Sequence, residues 1–175
     1  ERPAGSDLGD LLGGLIATLG AAMGRLQPRA VVVQGDTATT LAGALAAFHR
    51  RIPVAHVEAG LRSGDMARPW PEEGYRRLVT PLTRWHFAPT PAAKATLEQE
   101  GVASKQIEVV GNTVVDALHR AIGALDAGAE PGGDAQITAG EDVRPLVLAT
   151  IHRRETGREA LAAIADGLAG LVREE

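Results

Sequence analysis

Apolar side chains along this chain fall into two alternating patterns, which predict helices and short strands in turn. The three- and four-residue spacing of apolar positions from residue 8 to residue 26 predicts an amphipathic helix, capped by Ser6 or Asp7 and ended by Pro28. The run Ala30-Val31-Val32-Val33 does not alternate, as is typical of a strand covered on both faces. Further apolar runs predict strands at residues 53–57, 85–88 and 107–110.

The segments between the predicted strands carry the start and stop signals of helices. Pro71 stands at a first helical position, Thr90 and Pro91 form an N-cap with a following proline, and Gly101 stands where a left-handed C-cap belongs. Strands joined by helical segments of about ten or more residues require right-handed crossovers, which build a parallel sheet. The sequence therefore predicts an α/β fold, a doubly wound parallel sheet with helices on both faces.

A change in composition divides the chain into two parts. Residues 127–144 are rich in Gly, Ala, Asp and Glu, which is typical of a linker, and a fresh strand at 145–150 and a helix at 157–173 follow. We therefore expect residues 1–126 to form part of one Rossmann-like domain, and residues 145–175 to begin a second, nucleotide-binding one. Because the chain does not begin with Met and its last helix has no C-cap, we expect it to belong to a longer protein.

Composition narrows the class of protein. Hydrophobic residues make up 45% and charged residues 23% of the chain, values close to those of soluble globular domains. The net charge is -4 and the 18 Lys and Arg are dispersed, which argues against a nucleic-acid surface. The longest weakly polar stretch is too short to span a bilayer, so no membrane partner is expected. The absence of cysteine excludes disulfides and thiolate metal sites, and it agrees with a reducing, cytoplasmic compartment.

Polar residues follow the predicted strands, at the edge where open parallel sheets bind ligands. They are Gln34 and Asp36 after the first strand, Glu58 after the second, Asn112 and Thr113 after the fourth, and His152 and Arg153 after the linker. Neighbouring strands lie about 4.8 Å apart, so Asp36 and Glu58 share one crevice if their strands pair. Two carboxylates at such a short distance need a proton, a cation or a substrate between them.

The acidic residues also have purely structural interpretations. Asp36 could cap the following helix, and Glu58 could pair with Arg62 at the end of an apolar strand. Glu72 and Glu73 fall in the first turn of a helix, where acids complement the helix dipole. Residue types alone leave both interpretations open.

The histidines and the phosphate-binding patterns give weaker signals. His152, beside two arginines, could equally belong to a surface turn. No His-x-x-x-His or His-Glu-x-x-His spacing occurs, so no protein-bound metal is predicted. No Gly-x-Gly-x-x-Gly or Walker-type motif occurs either, although helix N-termini and Arg153 or Arg154 could meet a diphosphate. The residues thus favour a small anionic ligand in an interdomain crevice.

Six motifs then follow one another along nearly the whole chain. They are Gln34-Gly35-Asp36-Thr37, His56-Val57-Glu58-Ala59-Gly60-Leu61-Arg62, Pro69-Trp70-Pro71-Glu72-Glu73, His86-Phe87-Ala88-Pro89-Thr90, Gly111-Asn112-Thr113-Val114-Val115-Asp116-Ala117-Leu118 and His152-Arg153-Arg154-Glu155. Their order and spacing resemble those of the non-hydrolysing UDP-N-acetylglucosamine 2-epimerases. The resemblance implies two Rossmann-like domains in the GT-B arrangement, with the active site in the cleft between them and no cofactor.

The resemblance also implies a reaction and the residues that perform it. UDP-GlcNAc and UDP-ManNAc would interconvert reversibly through removal of the C2 proton with loss of UDP, then re-addition of UDP with protonation on the opposite face. Acid/base groups are needed on both faces of the sugar, which gives several carboxylates around one pocket a chemical reason. By resemblance, the acid/base set is Asp36, Glu58 and Glu72. His152 is also expected to be catalytic, since it would meet the nucleotide end and assist departure of UDP. Arg76 and Arg153, the neighbour of His152, are further residues expected to contact the substrate.

The expected partners follow from the same resemblance. They are UDP-GlcNAc and UDP-ManNAc, a second, allosteric UDP-GlcNAc that Glu72 and Arg153 could touch, and a second copy of the full-length protein in a homodimer. No nucleic acid is expected, and the product would serve a surface polysaccharide or cell-wall linkage unit.

The chain also departs from the family pattern. Tyr75 and Thr156 stand where the family usually has Asn. The family's N-terminal Gly-Thr-Arg-Pro-Glu segment and C-terminal Asp-Ser-Gly-Gly loop do not occur in these 175 residues, so we expect little or no activity from this chain alone. Three alternatives stay open: a hydrolysing epimerase that releases UDP and ManNAc, a GT-B glycosyltransferase, and a non-catalytic nucleotide-sugar-binding module.

Overall fold

Helices and strands alternate from Leu8 to Asp126 in the structure, a computed structural model that describes residues 7–129, 149–151 and 156–173. The elements are α1 (Leu8–Leu26), β1 (Val31–Gln34), α2 (Ala38–His49), β2 (Val54–Val57), α3 (Glu72–Val79), β3 (Trp85–Ala88), α4 (Pro91–Gln99), β4 (Ile107–Val109), α5 (Thr113–Asp126) and α6 (Arg158–Arg173). Short 3₁₀ turns cover Thr80–Leu82 and Ser104–Gln106. The first four predicted strands agree with the observed ones to within one residue at each end.

The four strands form one parallel sheet in the order β1-β2-β3-β4. The register pairs Val33 with His56, His56 with His86, and His86 with Ile107. A segment that contains a helix joins each strand to the next, so the predicted parallel α/β fold is confirmed. The carboxyl ends of the strands therefore meet at one edge, which is where the candidate residues Asp36 and Glu58 stand.

The helices that connect the strands pack against the sheet face that carries Val33 and Ile107. Val33 belongs to a buried cluster with side chains of α2 and α3, and Ile107 clusters with Leu97 of α4. Small residues let α2 approach closely, since a Cβ on Gly43 would lie only 3.1 Å from Cγ1 of Val33. Val32 lies on the other face and is 67% exposed, more than expected for a strand covered on both faces.

Helix ends follow the predicted local signals in most places. The Asp7 carboxylate accepts a hydrogen bond from the Asp10 N–H at 2.8 Å, and the Thr90 hydroxyl accepts one from the Ala93 N–H at 3.1 Å. Gly101 adopts the predicted left-handed conformation, with a φ of 90°. Pro71 differs from the prediction by one position, because α3 begins after it and Pro71 is its N-cap residue.

The chain separates into two compact units, one that ends at Asn112 and one that begins at Thr113. The second unit contains α5 and α6, and α6 confirms the helix predicted at residues 157–173. Most of the predicted linker and of the strand predicted at 145–150 lies outside the described residues, so the domain boundaries at 126 and 144 stay predictions. Within the described ranges, no helix is both long and apolar enough to cross a membrane.

Candidate active site

The turn between β1 and α2 presents Asp36 at the carboxyl edge of the sheet. Gly35 takes a φ of 72°, which favours glycine, and its N–H donates to the Val57 carbonyl of β2 at 3.1 Å. The helix cap is Thr37, whose hydroxyl accepts from the Thr40 N–H at 3.4 Å. The interpretation of Asp36 as the helix cap is therefore wrong, because Thr37 already fills that role, and the Asp36 carboxylate is available for other contacts.

Arg76 on α3 binds that carboxylate with two donors. Its Nε and Nη2 lie 2.8 and 2.6 Å from Oδ2 of Asp36, and the two side chains are only 17% and 28% exposed. Charge-assisted hydrogen bonds of this kind fix orientation as well as charge. The structure thus brings together two of the predicted site residues from segments 40 positions apart.

Glu58, the first residue after β2, lies over the same turn. Its Oε2 is 3.5 Å from the position that a Cβ on Gly35 would occupy, so it lies beside the residue that precedes Asp36. Its φ of 64° is unusual for a residue with a side chain and costs about 1 kcal/mol or more. Strain of this kind is common at functional sites, where surrounding contacts maintain it.

The structural alternative for Glu58, an ion pair with Arg62, is wrong. Arg62 instead donates from Nε and Nη2 to Glu100, at 2.8 and 2.6 Å, and from Nη2 to the Thr80 hydroxyl at 2.8 Å. Within the described part of the chain, no hydrogen bond or ion pair of the Glu58 side chain is formed. Its half-buried carboxylate is therefore open to contact with a ligand.

The two adjacent acids of α3 have different surroundings. Glu72 is half-buried and lies four residues before Arg76, hence on the same face of the helix. Glu73 is fully buried and accepts from the Ser63 N–H at 3.0 Å, from Nε of Arg77 at 3.1 Å and from Nη1 of Arg76 at 3.4 Å. Burial raises the pKa of the Glu73 carboxyl, but the Ser63 N–H and the Arg77 charge outweigh it, and the pKa is lowered.

Sequence reasoning missed Glu73 as a part of this site. The spacing could have indicated its ion pairs, because Arg76 and Arg77 follow it by three and four residues. The orientation of α3 against the sheet decides whether Glu72 or Glu73 faces inward. Local sequence does not determine that orientation.

Two buried histidines lie beneath the carboxyl edge. His56 and His86 are each 1% exposed and are paired in register on β2 and β3. Nε2 of His56 is 2.7 Å from the Gly35 carbonyl, and Nε2 of His86 is 3.3 Å from the Thr80 carbonyl. Burial lowers the pKa of both, that of His86 to about 4, with a further lowering from the neighbouring His56 and Arg62. Both rings are therefore neutral near neutral pH.

Two of the predicted site residues cannot be placed in the site. His152 and Arg153 lie outside the described residues, so their place stays a prediction. A cavity of about 560 Å³ lies elsewhere, between Thr80, His86 and Glu100, and holds none of the predicted site residues. In the described portion, no three His, Asp or Glu side chains cluster in a way that could hold a metal ion.

Comparison with known proteins assigns this chain to a family. The family model described as UDP-N-acetylglucosamine 2-epimerase matches residues 2–175. The chain belongs to this family. An epimerase of that name from Neisseria meningitidis is 40% identical over 151 residues, which cover 86% of this chain and 41% of that protein. The chain thus spans less than half the length of this relative.

Solved structures of UDP-GlcNAc 2-epimerases share the fold. The Neisseria meningitidis enzyme bound to UDP-GlcNAc is 42% identical, with a TM-score of 0.70 over 73% of this chain and 34% of that one. The Methanocaldococcus jannaschii enzyme in complex with UDP-GlcNAc and UDP is 43% identical, with a TM-score of 0.66 over 69% of this chain and 33% of that one. These epimerases confirm the Rossmann-like, GT-B type fold class predicted from the sequence.

Proposed function

We propose that the protein carrying this chain is a non-hydrolysing UDP-GlcNAc 2-epimerase that interconverts UDP-GlcNAc and UDP-ManNAc. The observation that supports this most directly is the pair of carboxylates at the carboxyl edge of the sheet. Asp36 is oriented by Arg76, and Glu58 stands beside Gly35 of the same turn, without a partner among the described residues. Relatives with the same fold were crystallised with UDP-GlcNAc and UDP, which supports a nucleotide sugar as the ligand.

The proposed reaction needs a base and an acid on opposite faces of C2. In the first step a carboxylate takes the C2 proton, the C1–O bond to UDP breaks, and a C1–C2 double bond forms. In the return step the UDP oxygen adds to C1 and an acid delivers a proton to the other face of C2. Asp36, Glu58 and Glu72 are the proposed acid/base set, and positioned groups of this kind contribute about 10²- to 10⁴-fold to such a step.

Each side chain makes a different contribution in this proposal. Arg76 fixes the direction of the Asp36 carboxylate, so that the reacting geometry is held before the sugar binds. Glu58, which has no ion-pair partner in the described part of the chain, is the second proposed acid/base group. Glu72 shares the helix face of Arg76, which would set it towards the same ligand.

The nucleotide end of the substrate is proposed to meet His152 and Arg153. A histidine can assist departure of UDP by neutralising charge on the diphosphate, and an arginine can bind two of its oxygens at once. A second UDP-GlcNAc that touches Glu72 and Arg153, and a homodimer, also stay proposals carried over from the resemblance.

Product analysis tests this function. The protein carrying this sequence is incubated with UDP-GlcNAc, and the sugars are separated and identified by NMR. We expect UDP-ManNAc, and the same mixture when UDP-ManNAc is the starting material. Free ManNAc with UDP would instead assign the hydrolysing reaction, and unchanged UDP-GlcNAc would contradict both.

A matched pair of variants ties the activity to the site. Glu58→Gln removes the unpartnered carboxylate at almost constant volume, and we expect kcat to fall by about 100-fold or more. Glu98→Gln removes the same charge from the exposed face of α4, where the Glu98 carboxylate lies 3.9 Å from Nζ of Lys94, and should leave kcat unchanged. Equal rates for the two variants would remove Glu58 from the mechanism.

A further inference from the structure

His56 supports the turn that carries Asp36 from inside the sheet. Its ring is 1% exposed, and its Nε2 lies 2.7 Å from the carbonyl oxygen of Gly35. A carbonyl oxygen can only accept, so Nε2 carries the hydrogen and donates it. Nδ1 is then the bare nitrogen, and it is buried with no hydrogen-bond partner among the described residues.

The Gly35 carbonyl belongs to the peptide that joins Gly35 to Asp36. The N–H of Gly35 is held by the Val57 carbonyl at 3.1 Å, so both polar groups of this glycine are bound to β2. One bond is made by the backbone and the other by the His56 side chain. The plane of the Gly35–Asp36 peptide is thereby fixed, and with it the direction in which the Asp36 side chain leaves the backbone towards Arg76.

Packing alone does not account for a histidine at this position. A leucine of similar volume would fill the space without burying a nitrogen that has no partner, and each such group in a native structure needs an explanation. His86 provides the internal comparison, because it is equally buried, is paired in register with His56, and also has an unpartnered Nδ1. Its Nε2 reaches the Thr80 carbonyl at 3.3 Å instead, away from the Asp36 turn.

We infer that His56 is a positioning residue for Asp36: its Nε2–H holds the Gly35 carbonyl and so aims the Asp36 carboxylate at the sugar. This inference rests on the proposed function, since it assigns Asp36 to the acid/base set. It assigns His56 no contact with the substrate. Its effect is expected in the chemical step and not in ligand binding.

Steady-state kinetics of four variants of the protein carrying this sequence test the role in catalysis. His56→Leu removes the donor, His56→Gln returns an N–H at a similar distance from the backbone, and His86→Leu and His86→Gln are the matched controls. We expect His56→Leu to lower kcat by about tenfold or more with KM nearly unchanged, because small misplacements of reacting groups cost rate. His56→Gln should recover most of that loss. Equal kcat values for His56→Leu and His86→Leu would overturn the inference, since both remove one buried histidine.

Imidazole NMR tests the geometry without reference to turnover. In the ¹⁵N-labelled chain, the His56 ring should show a protonated Nε2 and a bare Nδ1, and the opposite tautomer would overturn the inference even if no variant folds. His56→Leu should shift the amide signals of Gly35 and Asp36 and the Arg76 Nε–H signal, whereas His86→Leu should leave them in place. If the wild-type protein is inactive but gives these NMR results, the proposed function is refuted, while the inferred positioning of Asp36 by His56 still holds.

Discussion

Replacing Gly60 by alanine should disrupt the loop that follows Glu58. Gly60 has a φ of 89°, and a Cβ built on it would lie 2.3 Å from the Ala93 carbonyl oxygen and 2.9 Å from Cγ of Leu97. The nearest atom is backbone in the first turn of α4, so it cannot rotate away as a flexible side chain would. The loop must therefore lift from α4, or α4 must shift from the sheet.

The expected loss of stability has two parts. The left-handed backbone costs an alanine about 1–2 kcal/mol, and forcing an extra carbon into a filled space typically costs about 1–3 kcal/mol. Together these give about 2–5 kcal/mol, a large share of the stability of about 5–15 kcal/mol that is typical of a domain.

Urea unfolding followed by circular dichroism measures this loss, and the same loop offers a control. Gly64 has a φ of 82°, but a Cβ built on it would meet nothing within 4 Å. Gly64→Ala should therefore cost only the backbone term of about 1–2 kcal/mol. If Gly60→Ala and Gly64→Ala lower the free energy of unfolding equally, the close approach of Gly60 to α4 is not present in solution.

Three further predictions concern the ion pairs and histidines around the site. Burial lowers the pKa of His86 from 6.5 to about 4, so as the pH falls this histidine binds a proton in the unfolded chain before it does in the folded one. Stability should be full above pH 6.5 and fall by about 3 kcal/mol towards pH 4, and His86→Leu should flatten that part of a pH series of urea titrations. Glu100→Ala removes the ion-pair partner of Arg62, whose side chain is only 8% exposed, and should lower the free energy of unfolding by about 2 kcal/mol. Glu98→Ala, at an exposed position, should lower it by less than about 0.5 kcal/mol. Equal losses for the two variants would contradict this prediction. Lysine lacks the planar pair of donors with which Arg76 binds Asp36, so Arg76→Lys should lower kcat by about tenfold or more, whereas Arg77→Lys should not. A changed KM with an unchanged kcat for Arg76→Lys would place Arg76 in binding alone.

The fold could be predicted closely from the sequence because its signals are local. The β-branched run at residues 30–33 and the spacing of leucines in α1 depend on neighbours within a few positions, and so do the caps at Asp7 and Thr90. Such patterns reflect burial and backbone hydrogen bonding within one element, which short-range sequence determines. The parallel order then followed from the helical segments between the strands.

The partners of the site residues could not be predicted in the same way. Arg62 pairs with Glu100, which is 38 positions away, and not with the nearby Glu58. Asp36 meets Arg76 across 40 positions, and the left-handed backbone of Glu58 has no signal in residue type. These features arise where loops from different strands meet, so they depend on tertiary packing that no local pattern encodes.

The proposed function depends most on Asp36 and Glu58 acting on the C2 proton of one sugar. Deuterium incorporation tests this directly: the protein carrying this sequence is incubated with UDP-GlcNAc in heavy water, and both sugars are analysed by mass spectrometry and NMR. We predict deuterium at C2 of UDP-ManNAc and of the recovered UDP-GlcNAc. Asp36→Asn should slow the incorporation by about 100-fold or more, and Asp10→Asn, on the exposed face of α1, should not. Formation of UDP-ManNAc without deuterium at C2, or incorporation by Asp36→Asn at the unaltered rate, would contradict this proposed chemistry.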